Sequence, residues 1–66
     1  MTEIQGTFAA DLHTRAAYAH IAAAHEHSTG DHASAQELAR KALGESVEAV
    51  KFTEEIAQDG LNQIMA

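Results

Sequence analysis

A single turn signal divides this chain into two long segments that both favour helix. Gly30 tolerates the left-handed backbone that ends a helix, and Asp31, directly after it, is a strong helix N-cap. No proline occurs in the 66 residues, and β-branched or aromatic residues never alternate with polar ones as they do in strands. The sequence therefore predicts an all-α protein, an antiparallel helical hairpin with helices at about 7–28 and 31–58.

The first helix is expected to begin with Thr7 as its N-cap. A helical wheel shows one apolar stripe and a second apolar side opposite to it. A helix that is apolar on two sides is usually buried on both, so one side is expected to face the second helix and the other a second chain. The stripe contains Phe8, Leu12, Ala16, Ala19, Ala22 and Ala23, and the opposite side contains Ala10, Ala17, Tyr18, Ile21 and Ala24.

The second helix has the clearer pattern, because its apolar residues fall within one arc of about 140°. The pattern does not slip at Gly44, which predicts one continuous helix; the alternative is a three-helix unit broken at residues 44–46. Val47 and Phe52 fall outside the arc, which favours contact with a partner chain over simple partial exposure. The arc contains Ala35, Leu38, Ala39, Ala42, Leu43, Ser46, Ala49, Val50, Thr53, Ile56 and Ala57.

Alanine makes up 15 of the 30 apolar residues, so one hairpin buries little area relative to the entropy it loses on folding. Association adds buried area without lengthening the chain. The sequence therefore predicts that residues 1–66 form one domain, with fraying at 1–6 and 61–66, and that two copies complete a four-helix bundle as a homodimer. The side chains expected at this interface are Phe8, Leu12, Tyr18, Ile21, Leu43, Val47, Val50, Phe52 and Ile56.

Composition excludes several classes of protein. The net charge of −6 and the four scattered basic residues argue against a nucleic-acid binder. No apolar run approaches the roughly 18 residues of a membrane span. The absence of cysteine removes disulfides and thiolate metal sites. The first residues have neither a basic region nor a hydrophobic stretch of the kind found in secretory signals, so a cytoplasmic location is expected.

All five histidines lie between residues 13 and 32. Three of them, His13, His20 and His27, are seven residues apart, which predicts a line along one flank of the first helix. A denser group surrounds the turn, and imidazole with carboxylate suits zinc, nickel or copper. This group contains His25, His27, Asp31 and His32.

Three interpretations of the histidines remain open. A solvated polar turn is the simplest, because the usual metal-binding spacings are missing. A metal site at the turn is the second. The third is titration: histidine side chains in general change charge near pH 6.5, so acidification would load positive charge into a partner interface and weaken it. Under this last hypothesis the oligomer differs in sedimentation between pH 7.5 and pH 5.5.

Catalysis has little support in the sequence. No glycine-rich phosphate loop occurs, and large side chains that could build a substrate cleft are few. A nucleophile would need a hydroxyl beside a histidine base, and the candidates are Ser28, Thr29, Ser34 and Ser46. We expect no enzyme and no catalytic residue.

The stretch from Ala22 through the Gly30-Asp31-His32 turn to Gly44 resembles small alanine- and histidine-rich bacterial helical proteins of unestablished function. It is also similar, more weakly, to a single tetratricopeptide-type helix-turn-helix. Both resemblances imply a hairpin, and neither implies a reaction. The predicted function is a small self-associating helical protein that acts as a protein-interaction or structural module and needs no cofactor. The alternative is a metal-binding or metal-buffering protein that uses zinc, nickel or copper.

Overall fold

The chain forms two antiparallel helices joined by a tight turn. In the computed structural model, the described backbone covers residues 3–65 and the described side chains cover residues 5–60. Helix α1 spans Glu3–Thr29 and helix α2 spans His32–Met65. No strand occurs within residues 3–65. The all-α helical hairpin predicted from the sequence is therefore confirmed.

The turn has the backbone geometry that Gly30 was expected to provide. Gly30 adopts a φ of +87°, a conformation that disfavours every residue with a Cβ atom. Its N–H donates to the carbonyl of His27 at 3.2 Å, and the N–H of Asp31 donates to the carbonyl of Glu26 at 2.9 Å. These two bonds make the Schellman motif, which satisfies carbonyls left free at a helix end.

Asp31 is the N-cap of α2, as its position after glycine predicts. The backbone N–H of Ser34 donates to Oδ1 of Asp31 at 3.1 Å, and the Ser34 hydroxyl donates to Oδ2 at 2.9 Å. The backbone hydrogen bond from Ser34, followed by the one from its hydroxyl, lowers the pKa of Asp31 below the usual 3.8. The cap therefore stabilises the folded state fully above the usual pKa of 3.8. This stabilisation is lost as the pH falls through the lowered pKa of Asp31.

Both helices are longer than the sequence patterns indicated. The prediction of Thr7 as an N-cap is wrong, because α1 already begins at Glu3 and Thr7 lies inside it. Helix α2 continues past residue 58, through Gly60, to Met65. It also runs unbroken across Gly44, which confirms the single helix and excludes the three-helix alternative. An interior glycine costs only about 1 kcal/mol, which the rest of a 34-residue helix offsets.

The predicted fraying concerns residues at both ends of the chain. The backbone of residues 3–6 and 61–65 is helical. Residues 1, 2 and 66, and the side chains of 1–4 and 61–66, lie outside the described part of the chain.

The seam between the helices follows a seven-residue repeat of small side chains. Leu12, Ala16, Ala19 and Ala23 are buried, which confirms most of the apolar stripe predicted for α1. Because successive buried positions alternate between three and four residues apart, the repeat averages 3.5 residues per turn, as in coiled coils. The buried side chains are Ala9, Leu12, Ala16, Ala19 and Ala23 on α1, and Ala35, Ala42 and Ala49 on α2.

Phe52 does not lie on the outer flank, where the sequence placed it. It is half-buried in the seam, and its ring packs edge-on against Phe8 with centroids 5.0 Å apart and an interplanar angle of 81°. The helical wheel assumed 3.6 residues per turn, which places Phe52 far around the helix from Ala35. With the 3.5-residue repeat of paired helices, the angle between these two residues is smaller, so Phe52 lies in the seam. The same difference moves Leu43 and Val50 out of the seam, and both side chains are at least half exposed.

Candidate functional site

Three histidines lie in a row along one edge of the seam. His13 Nε2 is 2.9 Å from the Thr53 hydroxyl, and His20 Nε2 is 3.4 Å from the Ser46 hydroxyl. At the turn, His27 Nδ1 is 3.2 Å from Nδ1 of His32. The line predicted from the spacing of seven is confirmed, and each member reaches a polar side chain of α2. We call this row the histidine edge: His13, His20 and His27 on α1 with His32, Ser46 and Thr53 on α2.

The opposite edge of the seam is charged. A groove of about 450 Å³ lies there, lined by Arg15, Tyr18, Ala19, Ala22, Leu38, Lys41 and Glu45. A second groove of about 220 Å³ is lined by Phe8, Leu12, Glu48, Lys51, Phe52 and Glu55. In the seven-residue repeat, Arg15, Lys41 and Glu48 occupy the flank across from the histidines. The two edges of the hairpin thus differ sharply in charge.

The side of the hairpin that contains the histidine edge has no Asp, Glu, Lys or Arg between residues 6 and 60. This surface, which we call the uncharged face, consists of the histidine edge and the next row outward in the repeat. Ile21 and Val47, both exposed, border it, and so do Lys51 and Glu54, which line a groove of about 370 Å³ with Ser46, Val47 and Val50. The face contains Ala10, His13, Ala17, His20, Ala24 and His27 on α1, and His32, Gln36, Ala39, Leu43, Ser46, Val50, Thr53 and Ala57 on α2.

The structure divides the nine residues predicted for an interface into groups. Leu12 is buried between the helices, and Phe8 and Phe52 pack on each other within one chain. Ile56 is half-buried. Tyr18 lines the charged groove rather than the uncharged face. Five of the nine are strongly exposed in the single chain: Tyr18, Ile21, Leu43, Val47 and Val50.

Of the four residues predicted as metal ligands, the structure brings two together. His27 and His32 approach each other through Nδ1, with ring centroids 5.4 Å apart. Both carboxylate oxygens of Asp31 accept hydrogen bonds from Ser34. His25 is exposed and, by its place in the repeat, lies on the far side of α1. Among the described residues, no group of three or more metal-binding side chains is assembled.

The hydroxyls considered as nucleophiles have local hydrogen bonds. Ser28 donates to the carbonyl of Ala24 at 2.8 Å, and Thr29 donates to the carbonyl of Glu26 at 3.1 Å. The Ser34 hydroxyl donates to Oδ2 of Asp31, the N-cap of α2. Ser46 alone of the four contacts a histidine of the other helix, at the long distance of 3.4 Å. The expectation that the chain is not an enzyme stays a prediction.

The buried position of the Glu45 carboxylate in the seam could not be predicted from the sequence. Glu45 is half-buried, and its Oε1 atom is sealed from solvent without a hydrogen-bond partner among the described residues. In the repeat it belongs to the same row as Leu38 and Phe52, so it occupies a position suited to a large apolar side chain. An unpaired buried oxygen destabilises the folded state.

We therefore expect Glu45→Leu to stabilise the hairpin by about 1 kcal/mol. The measurement is thermal unfolding followed by circular dichroism, at matched protein concentrations. Glu37→Leu is the control, because Glu37 is exposed and lines none of the grooves, so its replacement should leave the melting temperature nearly unchanged. A lower melting temperature for Glu45→Leu than for the unmodified chain would show that the carboxylate is satisfied and contributes to stability.

The fold and these surfaces define the class of the molecule as a two-helix, all-α hairpin. Neither helix, within residues 3–65, has a stretch both long and apolar enough to cross a membrane. No protein-family model matches the chain, and no curated protein or solved structure is significantly similar to it. The two resemblances drawn from the sequence stay predictions.

Proposed function

We propose that this chain is a self-associating helical module in which a second copy docks on the uncharged face to complete a four-helix bundle. The module acts as a protein-interaction or structural element, by binding and not by chemistry. The cytoplasmic location expected from the sequence is part of this proposal. The observation that carries the proposal is the segregation of charge: between residues 6 and 60, one face of the hairpin has no acidic or basic side chain other than histidine.

The incomplete core supports association. The radius of gyration is 15.4 Å, whereas a compact domain of this length has about 11 Å. Among the side chains of residues 5–60, the buried ones are seven alanines and one leucine, which together remove little apolar area from water. Leu43, Val47 and Val50 meanwhile remain 50–63% exposed. A second copy would bury these side chains at no cost in additional chain length.

The distribution of charge supports a second copy as the occupant. The net charge of −6 would repel an identical chain that approached through the charged edge. Through the uncharged face, two copies meet with their acidic residues on the outside. Four of the five histidines lie on this face.

The size and relief of the face also support self-association. The hairpin measures 54 by 16 Å in its two longer dimensions, so one side is large enough for a standard interface, in which each partner buries ~800 Å². On α1 the face has an alanine row, Ala10, Ala17 and Ala24, and on α2 it has a ridge formed by Leu43 and Val50. In a two-fold dimer whose axis runs parallel to the helices, the ridge of each copy would lie over the alanine row of the other, which would make the surface self-complementary.

A tryptophan reporter tests both the association and the face that it uses, because the chain has no tryptophan of its own. In Val50→Trp we expect a blue-shifted emission at high protein concentration that moves to the red on dilution, as the indole passes from the interface into water. In Tyr18→Trp, the matched control on the charged edge, we expect red emission at every concentration. Concentration-independent red emission from Val50→Trp would contradict the proposal, and so would a shift confined to Tyr18→Trp.

A further inference from the structure

We propose that His27 and His32 form a two-histidine site for a divalent transition-metal ion at the turn, with both ligands binding through Nδ1. The site is smaller than the four-residue group expected from the sequence. It leaves out His25, which lies on the far side of α1, and Asp31, whose oxygens are bonded to Ser34.

The distance between the two ring nitrogens carries the inference. The Nδ1 atoms are 3.2 Å apart. Zinc–imidazole bonds are about 2.0–2.1 Å long, so two such ligands are separated by about 3.3 Å at a tetrahedral angle and about 2.9 Å at a right angle. The observed distance lies between these values, so the two Nδ1 atoms are already spaced to bind one metal ion together in the metal-free protein.

The fold holds this pair from both sides of the turn. His27 is in the last turn of α1 and His32 begins α2, and the Schellman bonds at Gly30 and the Asp31 cap fix the backbone between them. Both side chains are exposed in the single chain and lie at the turn, the end of the uncharged face, so an ion can enter there and water can fill its remaining positions. The hairpin brings the two nitrogens together, whereas the unfolded chain holds them loosely, so the ion should favour the folded state.

The protons balance without another reactant. In the metal-free protein, two neutral rings 3.2 Å apart share one N–H···N hydrogen bond, with Nδ1 of one ring as the donor. Metal binding needs a lone pair on both Nδ1 atoms. The donor ring therefore moves its proton from Nδ1 to its exposed Nε2, and the ion replaces the hydrogen bond. Imidazole suits Zn²⁺ and Ni²⁺ and does not suit Mg²⁺, which prefers oxygen.

The test adds Zn²⁺ or Ni²⁺ to the full chain and follows the melting temperature and the nitrogen shifts of the histidine rings by NMR, with Mg²⁺ as the control ion. We expect one ion per chain, a melting temperature that rises with Zn²⁺ or Ni²⁺ concentration, and shifts at Nδ1 of His27 and His32. Mg²⁺ should have no effect. The NMR shifts report on the site whether the protein is a monomer or a dimer, so failure here is distinguishable from failure of the proposed self-association.

Single substitutions assign the ligands. His27→Gln and His32→Gln should each abolish the rise in melting temperature, while His25→Gln, which removes a neighbouring exposed histidine, should retain it. Three results would each contradict the site. The first is an equal rise in melting temperature in His27→Gln and the unmodified chain, and the second is loss of that rise in His25→Gln. The third is an absence of shifts at the Nδ1 resonances at saturating Zn²⁺.

Discussion

Replacing Ala42 with leucine is expected to destabilise the hairpin by about 1–3 kcal/mol. Ala42 is fully buried, with 0% of its surface exposed, in the middle of the row that also contains Ala35 and Ala49. Three added carbons at this position either push the helices apart, which removes contacts between the neighbouring alanines, or force strained rotamers. For a chain of this size, the melting temperature should fall by roughly 10 °C.

Ala33→Leu is the matched control for this substitution. Ala33 lies in the same helix and is exposed, so the same added carbons meet only solvent and stability should change by less than about 0.5 kcal/mol. Chemical denaturation of both variants measures the difference. If Ala42→Leu proved as stable as Ala33→Leu, the helices would have room for large side chains, and the closely packed alanine seam would be wrong.

Two charges placed on the uncharged face are expected to abolish self-association without unfolding the hairpin. In the double variant Leu43→Glu with Val50→Glu, each side chain is exposed in the single chain, so the seam remains intact. In a two-fold dimer each substitution occurs twice, so four acidic groups would enter one interface. Like charges that face each other there cost several kcal/mol, so we expect the dimer dissociation constant to rise at least about 1,000-fold.

Tyr18→Glu provides the comparison, because it also replaces an exposed apolar side chain with glutamate but lies on the charged edge. We expect this variant to associate as the unmodified chain does. Sedimentation velocity measures the mass, and circular dichroism checks that both variants keep their helices. Association retained in Leu43→Glu with Val50→Glu, or lost only in Tyr18→Glu, would place any interface elsewhere.

The parts of the fold that depend on local chemistry could be predicted from the sequence. Gly30 and Asp31 identify the turn because a positive φ and an N-cap are properties of single residues. The histidine line follows from a spacing of seven on any helix. The helix ends were less predictable, because nothing in residues 3–7 or 58–65 actively stops a helix and weak propensities decide the outcome.

The assignment of faces depended on how the two helices pack. A period of 3.6 residues placed Phe52 outside the seam and Leu43 inside it, and the 3.5-residue repeat of paired helices reverses both. The sequence grouped His27 and His32 with His25 and Asp31, but it could not show that these two alone come into contact. Nor could it show the unpaired oxygen of Glu45, because both features depend on the register of α1 against α2. Leu12 was expected at the interface between two chains, but it is buried between the two helices of one chain. An apolar stripe in the sequence does not distinguish an internal seam from an interface.

The most direct test of the account is the mass of the unmodified chain by sedimentation equilibrium at neutral pH, over a wide range of protein concentration. Because Leu43 and Val50 on the uncharged face, and Val47 at its border, are exposed in one copy, we predict twice the mass of the 7.0 kDa chain, with dissociation only on dilution. A folded species that keeps the mass of one chain at the highest concentrations would contradict the account.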